Sequence, residues 1–153
     1  MLMTTLLIVH GLIAVALLGA ITHQAAAVLW PVSGKAQGLV RRFRAVSSDT
    51  YVGTVVALYL VTMALGAFIY THYTISARIA LIQLQFWKPY GMFEIKEHFA
   101  AIGLGILPLY WILWRAPSLG VRARAVVTTV LATIVWWNFL VGHIINNIRG
   151  FGS

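Results

Sequence analysis

Long apolar stretches separated by short polar segments dominate this chain. A helix needs roughly 20 apolar residues to cross the hydrocarbon core of a bilayer. Four stretches reach that length, at residues 4–30, 50–76, 93–115 and 125–148. The pattern therefore predicts an all-α protein, an integral membrane four-helix bundle that forms a single transmembrane domain over residues 1–153.

Basic residues between the stretches predict how the bundle is oriented. The segments after the first and third stretches carry Lys35, Arg41, Arg42, Arg44, Arg115, Arg122 and Arg124, whereas the opposite side carries Arg78, Lys88, Lys96 and Arg149. Cytoplasmic segments are the richer in Lys and Arg. We therefore expect both termini on the outer side, which is the periplasm if the protein lies in a bacterial inner membrane.

The segment between the second and third stretches, residues 79–92, is apolar but too short to span. Aromatic residues such as Trp87 and Tyr90 are enriched where a membrane meets water. This segment is therefore predicted to lie at the interface on the outer side, anchored by these two rings.

Composition narrows the class of protein further. Apolar residues make up 61% of the chain and charged residues 9%, which is far from the composition of an ordinary soluble domain. The formal net charge is +8, and the basic residues lie in short segments between the apolar stretches. This arrangement indicates contact with the lipid bilayer and no nucleic acid. Because there is no cysteine, thiolate metal sites, iron–sulfur clusters and covalently attached c-type haem are excluded.

Histidines provide the candidate chemistry. Ionisable residues inside membrane spans are costly and usually functional. The predicted topology places one near the outer end of each span, namely His10, His72, His98 and His143, whereas His23 lies toward the opposite end of the first span. Glu94 and Glu97 precede His98 and join this set.

The first hypothesis for the histidines is haem b. Neutral imidazoles on facing helices can supply its axial nitrogens, and Arg78 and Arg149 are cations that could pair with its propionates. The chain would then be a b-type cytochrome-like redox subunit that binds haem near the periplasmic face and transfers electrons. A quinone, a periplasmic cytochrome, other membrane subunits or further copies in a homo-oligomer are the expected partners.

Two alternatives stay open. The same four histidines with Glu94 and Glu97 could hold zinc, copper or non-haem iron, as in a membrane metal-binding or metal-transport protein. The chain could instead be a cofactor-free accessory subunit of a membrane complex. Whether it is itself an enzyme is left open by the sequence, although part of an oxidoreductase would fit.

Two short motifs carry a family resemblance. The first stretch contains His10-Gly-Leu-Ile-Ala14, and the third contains Ile95-Lys96 and His98, then ends Tyr110-Trp-Ile-Leu-Trp-Arg115. In these residues the chain resembles the CopD-like and HemJ-type membrane proteins, and it is similar in architecture to four-helix b-type cytochromes. The resemblance implies a histidine-rich helical membrane bundle with haem b, involved in redox chemistry or metal traffic, and the likeness to the HemJ-type proteins carries haem ligation onto His10.

Overall fold

The computed structural model describes residues 2–31, 38–39, 47–116, 118 and 120–150, with side chains up to residue 147. Five α-helices make up almost all of this part of the chain. They are α1 (Leu2–Leu29), α2 (Val52–Ile75, preceded by a 3-10 turn at Ser48–Tyr51), α3 (Ala77–Gln83), α4 (Trp87–Arg115) and α5 (Val121–Gly150). The predicted all-helical fold is confirmed.

Four of these helices are long and apolar enough to span a membrane, as an integral membrane protein requires. They form two hairpins, α1–α2 and α4–α5. The pairs α1–α2, α1–α5 and α4–α5 pack extensively, whereas α2 and α4 make fewer contacts with each other. We call the end where α1 begins and α5 finishes the terminal end, and the opposite end the loop end.

The tightly packed core lies in the half of the bundle toward the loop end. Its buried apolar residues come from all four long helices: Leu17, Ile21, Val52, Val55, Tyr59, Leu107, Tyr110, Trp114, Leu131, Ala132 and Val135. Burial of apolar side chains does not drive helix association inside lipid, so close packing and hydrogen bonds between helices must hold such a core together.

Buried hydrogen bonds supply part of that cohesion at the loop end. Gln24 is fully buried; its amide Nε2 donates to the backbone oxygen of Ser48 at 2.8 Å, and its side-chain oxygen accepts from the hydroxyl of Tyr110. The indole of Trp114 donates to the buried hydroxyl of Thr128 at 3.0 Å. These bonds tie α1 to α2 and α4, and α4 to α5.

At mid-depth, a glycine lets α2 and α4 come together. The Tyr59 hydroxyl donates to the backbone oxygen of Ala100 at 2.8 Å. A Cβ at Gly103 would overlap that hydroxyl and lie only 3.1 Å from a methyl group of Ile134. The approach of the two helices at this level therefore needs a residue without a side chain.

The predicted interfacial segment turns out to be mostly helical. Residues 77–83 form α3, and α4 begins at Trp87 rather than at residue 93. Between them Gln85 has a positive φ of 56°, the left-handed conformation in which helices commonly end. Pro89 is compatible with the early start of α4 because the first turn of a helix has no partner for the amide that proline lacks.

Candidate functional site

His10 is the histidine that faces the interior in the half of the bundle toward the terminal end. Its ring carbon Cε1 lies 3.4 Å from the position that a Cβ on Gly66 would take, so the imidazole packs directly against α2. The backbone of Thr62, also on α2, lies close enough to the ring to act on it. The ring nitrogen Nδ1 is buried and has no hydrogen-bond partner among the described residues.

Lys96 enters the same region from α4. Its side chain is only 18% exposed, and its Cε lies 3.6 Å from the position of a Cβ on Gly142 of α5. The ammonium Nζ is 3.1 Å from the Glu97 carboxylate and 5.0 Å from the centre of the Phe93 ring. Charges on Lys96 and Glu97 both act on the His10 imidazole. We call His10, Lys96 and Glu97, with Gly66 and Gly142, the polar cluster.

The polar cluster has a counterpart at the loop end, a pair of polar residues with matching spacing along α1 and α4. His10 and Gln24 are 14 residues apart on α1, and so are Lys96 and Tyr110 on α4. At 1.5 Å per residue the two polar levels are about 21 Å apart, with the apolar core between them. The loop-end pair is closed by direct hydrogen bonds, whereas the cluster leaves a buried ring nitrogen unpaired.

A second group of polar and aromatic residues covers the terminal end beside the cluster. The guanidinium of Arg78 donates to the Tyr90 hydroxyl at 2.9 Å and lies 3.9 Å from the Glu94 carboxylate. The hydrogen bond to Tyr90 raises the pKa of Arg78, which is therefore firmly cationic. The rings of Tyr73 and Phe93 stack with their centres 3.8 Å apart and connect this group to Lys96.

The other three histidines of the predicted set each bond to a residue four positions away along the chain. His98 Nδ1 donates to the backbone oxygen of Glu94 at 2.7 Å, and His143 Nε2 accepts from the Asn147 amide at 3.1 Å. Nδ1 of His72 lies 3.3 Å from the Ser76 hydroxyl. His98 and His143 are exposed, and His72 is half-buried.

The depths of the histidines also differ. Gly66 is level with His10, and His72 lies six residues beyond it on α2, which is about 9 Å nearer the terminal end. Among the described residues, no three His, Asp or Glu side chains come close enough together to hold a metal ion. The structure therefore groups His10 with Lys96 and Glu97 rather than with the other histidines.

One residue beside the site, Thr62, was not singled out by the sequence pattern. It looks like an ordinary span residue, and its part depends on which faces of the helices meet. The predicted residues Glu94 and Arg78 do lie together, as an ion pair. The side chain of Arg149 is outside the described residues.

No family model, curated protein or solved structure matches this chain. The resemblance to CopD-like and HemJ-type proteins therefore stays a prediction that rests on the two motifs.

Proposed function

We propose that this protein is an integral membrane redox subunit that holds haem b at His10, in the terminal half of the bundle, and passes electrons within a larger membrane assembly. The observation that carries the proposal is the unpaired Nδ1 of His10 in the bundle interior. Haem b, when bound, supplies one-electron redox chemistry that the side chains of the protein lack.

The surroundings of His10 suit a metal-ligating imidazole. Histidines that bind metals usually have their second ring nitrogen held by a backbone or carboxylate group, which fixes the ring and its tautomer. The backbone of Thr62 could do this for His10, and the unpaired Nδ1 would then be the nitrogen that ligates a metal. What distinguishes His10 from His98 and His143 is that its unpaired nitrogen lies in the bundle interior, whereas those two side chains are exposed.

Cations near His10 suit the two propionates of a haem. Lys96 is the nearer, and its partner Glu97 is partly exposed, so the lysine can exchange that carboxylate for another. Arg78, on α3, is the second candidate. Glu94, near the start of α4, already provides it with a carboxylate partner. Charge-assisted hydrogen bonds of this kind are about twice as strong as neutral ones.

The proposal is tested by spectra of the purified protein. In detergent, with haem supplied during expression, the oxidised protein should show a Soret band. Dithionite reduction should sharpen a b-type α-band, and elemental analysis of the same sample should find iron equal to the haem content. No Soret band, with stoichiometric zinc, copper or iron, would refute haem and favour the metal site; neither signal would favour an accessory subunit.

We further propose that the terminal end of the bundle faces outward, into the periplasm of a bacterial cell, with the loop end in the cytoplasm. The two loop-end segments carry the excess of Lys and Arg, and such an excess is typical of the cytoplasmic side of a membrane protein. Haem at His10 would then lie near the periplasmic face, where a periplasmic cytochrome or a partner subunit could exchange electrons with it.

Single cysteines test this orientation in a chain that has none of its own. Leu39→Cys marks the loop end, because Leu39 is 85% exposed and already carries a side chain. The neighbouring Gly38 is less suitable, since its positive φ of 83° would be strained by a cysteine. Gly91→Cys marks the terminal end, where a Cβ meets nothing within 4 Å. In intact cells an impermeant maleimide should label the Gly91→Cys protein only; the reverse pattern would overturn the orientation.

A further inference from the structure

A groove between α1 and α2 lies in the loop-end half of the bundle, away from the polar cluster. It has a volume of about 280 Å³ and is lined by Ala16, Gly19, Ala20, His23, Tyr51, Thr54 and Leu58. Several of these residues are exposed, so the groove opens on the outside of the bundle, where lipid would surround it.

The groove has one polar, aromatic end. The rings of His23 and Tyr51 meet there with their centres 5.1 Å apart and their planes tilted by 47°. Toward the middle of the bundle its walls are small or aliphatic, formed by Ala16, Gly19 and Leu58. The imidazole of His23 can donate or accept a hydrogen bond. Measured along the helix, His23 lies about 9 Å from the end of α1.

We propose that this groove binds the head group of an isoprenoid quinone, with a ring carbonyl hydrogen-bonded to His23 and the ring against Tyr51. The inference rests on the proposed redox role, for which a quinone would be the electron partner inside the membrane. Pockets that enclose a drug-sized ligand have volumes of about 300–1,000 Å³. At about 280 Å³ the groove suits a single substituted ring, whose isoprenoid tail would extend into lipid.

A phospholipid acyl chain fits the groove less well. It would fill the space beside Ala16 and Gly19, but it has no group for His23 to bond. The polar end, where the imidazole of His23 meets the ring of Tyr51, can hydrogen-bond to a quinone carbonyl but offers an acyl chain only contact.

Gly19 offers a direct test, because a Cβ there meets nothing within 4 Å. Gly19→Leu should therefore fill the groove without disturbing helix packing. Gly105→Leu is the matched control, since Gly105 is equally unobstructed and exposed but lies on α4. The probe is a photoreactive azido-quinone with a short tail, added to purified protein, and its attachment is mapped by mass spectrometry.

We expect labelling within residues 16–23 and 51–58, at least tenfold weaker in Gly19→Leu and unchanged in Gly105→Leu. His23→Ala should raise the quinone concentration needed for half-maximal labelling by about three- to tenfold, the effect of one hydrogen bond. Equal labelling of Gly19→Leu and the unaltered protein would overturn the inference. So would loss of the label on adding phosphatidylcholine but not on adding unlabelled quinone, which would indicate an acyl-chain groove.

The same probe separates this inference from the proposed haem site. If the protein lacks haem but labels at the groove, the quinone site stands and the haem proposal fails. If the protein contains haem but does not label at the groove, the haem proposal stands and the quinone site fails.

Discussion

Replacing His10 with alanine should remove haem from the protein. Loss of a group that merely orients a metal ligand costs about 10–100-fold in affinity, so loss of the ligand itself should lower haem content by at least that factor. Among the described residues no histidine offers a substitute, because His98 and His143 are exposed and His72 lies about 9 Å nearer the terminal end. The measurement is haem per protein, from the pyridine haemochrome spectrum of purified samples.

His143→Ala is the matched control for this experiment. It removes the same side chain at the terminal end, but from an exposed position whose ring bonds to Asn147 on its own helix. Haem content should stay within about twofold of the unaltered protein, since a surface substitution usually changes stability little. Haem lost in His143→Ala and kept in His10→Ala would reverse the assignment of the ligand. Elution at the same volume in size-exclusion chromatography shows that each variant is folded.

Gly103→Ala should destabilise the bundle although it adds a single methyl group. That methyl would overlap the Tyr59 hydroxyl, so either α2 and α4 move apart or the bond from Tyr59 to Ala100 breaks. Overpacking costs about 1–3 kcal/mol and a lost hydrogen bond about 0.5–1.5 kcal/mol. We expect a fall of about 2–4 kcal/mol in the free energy of unfolding, seen as a melting midpoint lower by about 5 °C or more.

The control is Gly105→Ala, two residues further along the same helix. A Cβ at Gly105 meets nothing within 4 Å, so the added methyl brings only the better helix propensity of alanine, about 1 kcal/mol. The two substitutions should therefore shift the melting temperature in opposite directions. Equal shifts would mean that Gly103 is not at a close helix contact.

The spans were predictable because their signal is strong and local. Each is an apolar stretch of the right length. The parts of the structure that could span a membrane at Leu2–Leu29, Ser48–Ile75 and Val121–Asn147 agree closely with the predicted ranges. The early start of α4 was missed because Lys88, Pro89 and Gly91 look like the end of a loop. In the structure they form the first turns of a helix, where a proline is tolerated.

The candidate site was only partly predictable, because hydropathy gives the depth of a residue and not the direction of its side chain. His10, His98 and His143 have similar distances from helix ends, yet only His10 turns inward. Lys96 was considered as one cation among several, whereas its burial against Gly142 places it in the interior. These distinctions depend on which helix faces meet, and contacts between distant residues decide that.

The buried side chain of Gln24 bears on the order in which the protein is made. Its amide nitrogen meets Ser48 as soon as the first hairpin closes, but its oxygen accepts from Tyr110, a residue 86 positions later. During synthesis the first two helices therefore carry one polar atom that still lacks its final partner. That atom gives the nascent hairpin a specific attraction for the third long helix, so that the arrival of α4 completes a bond left open by α1.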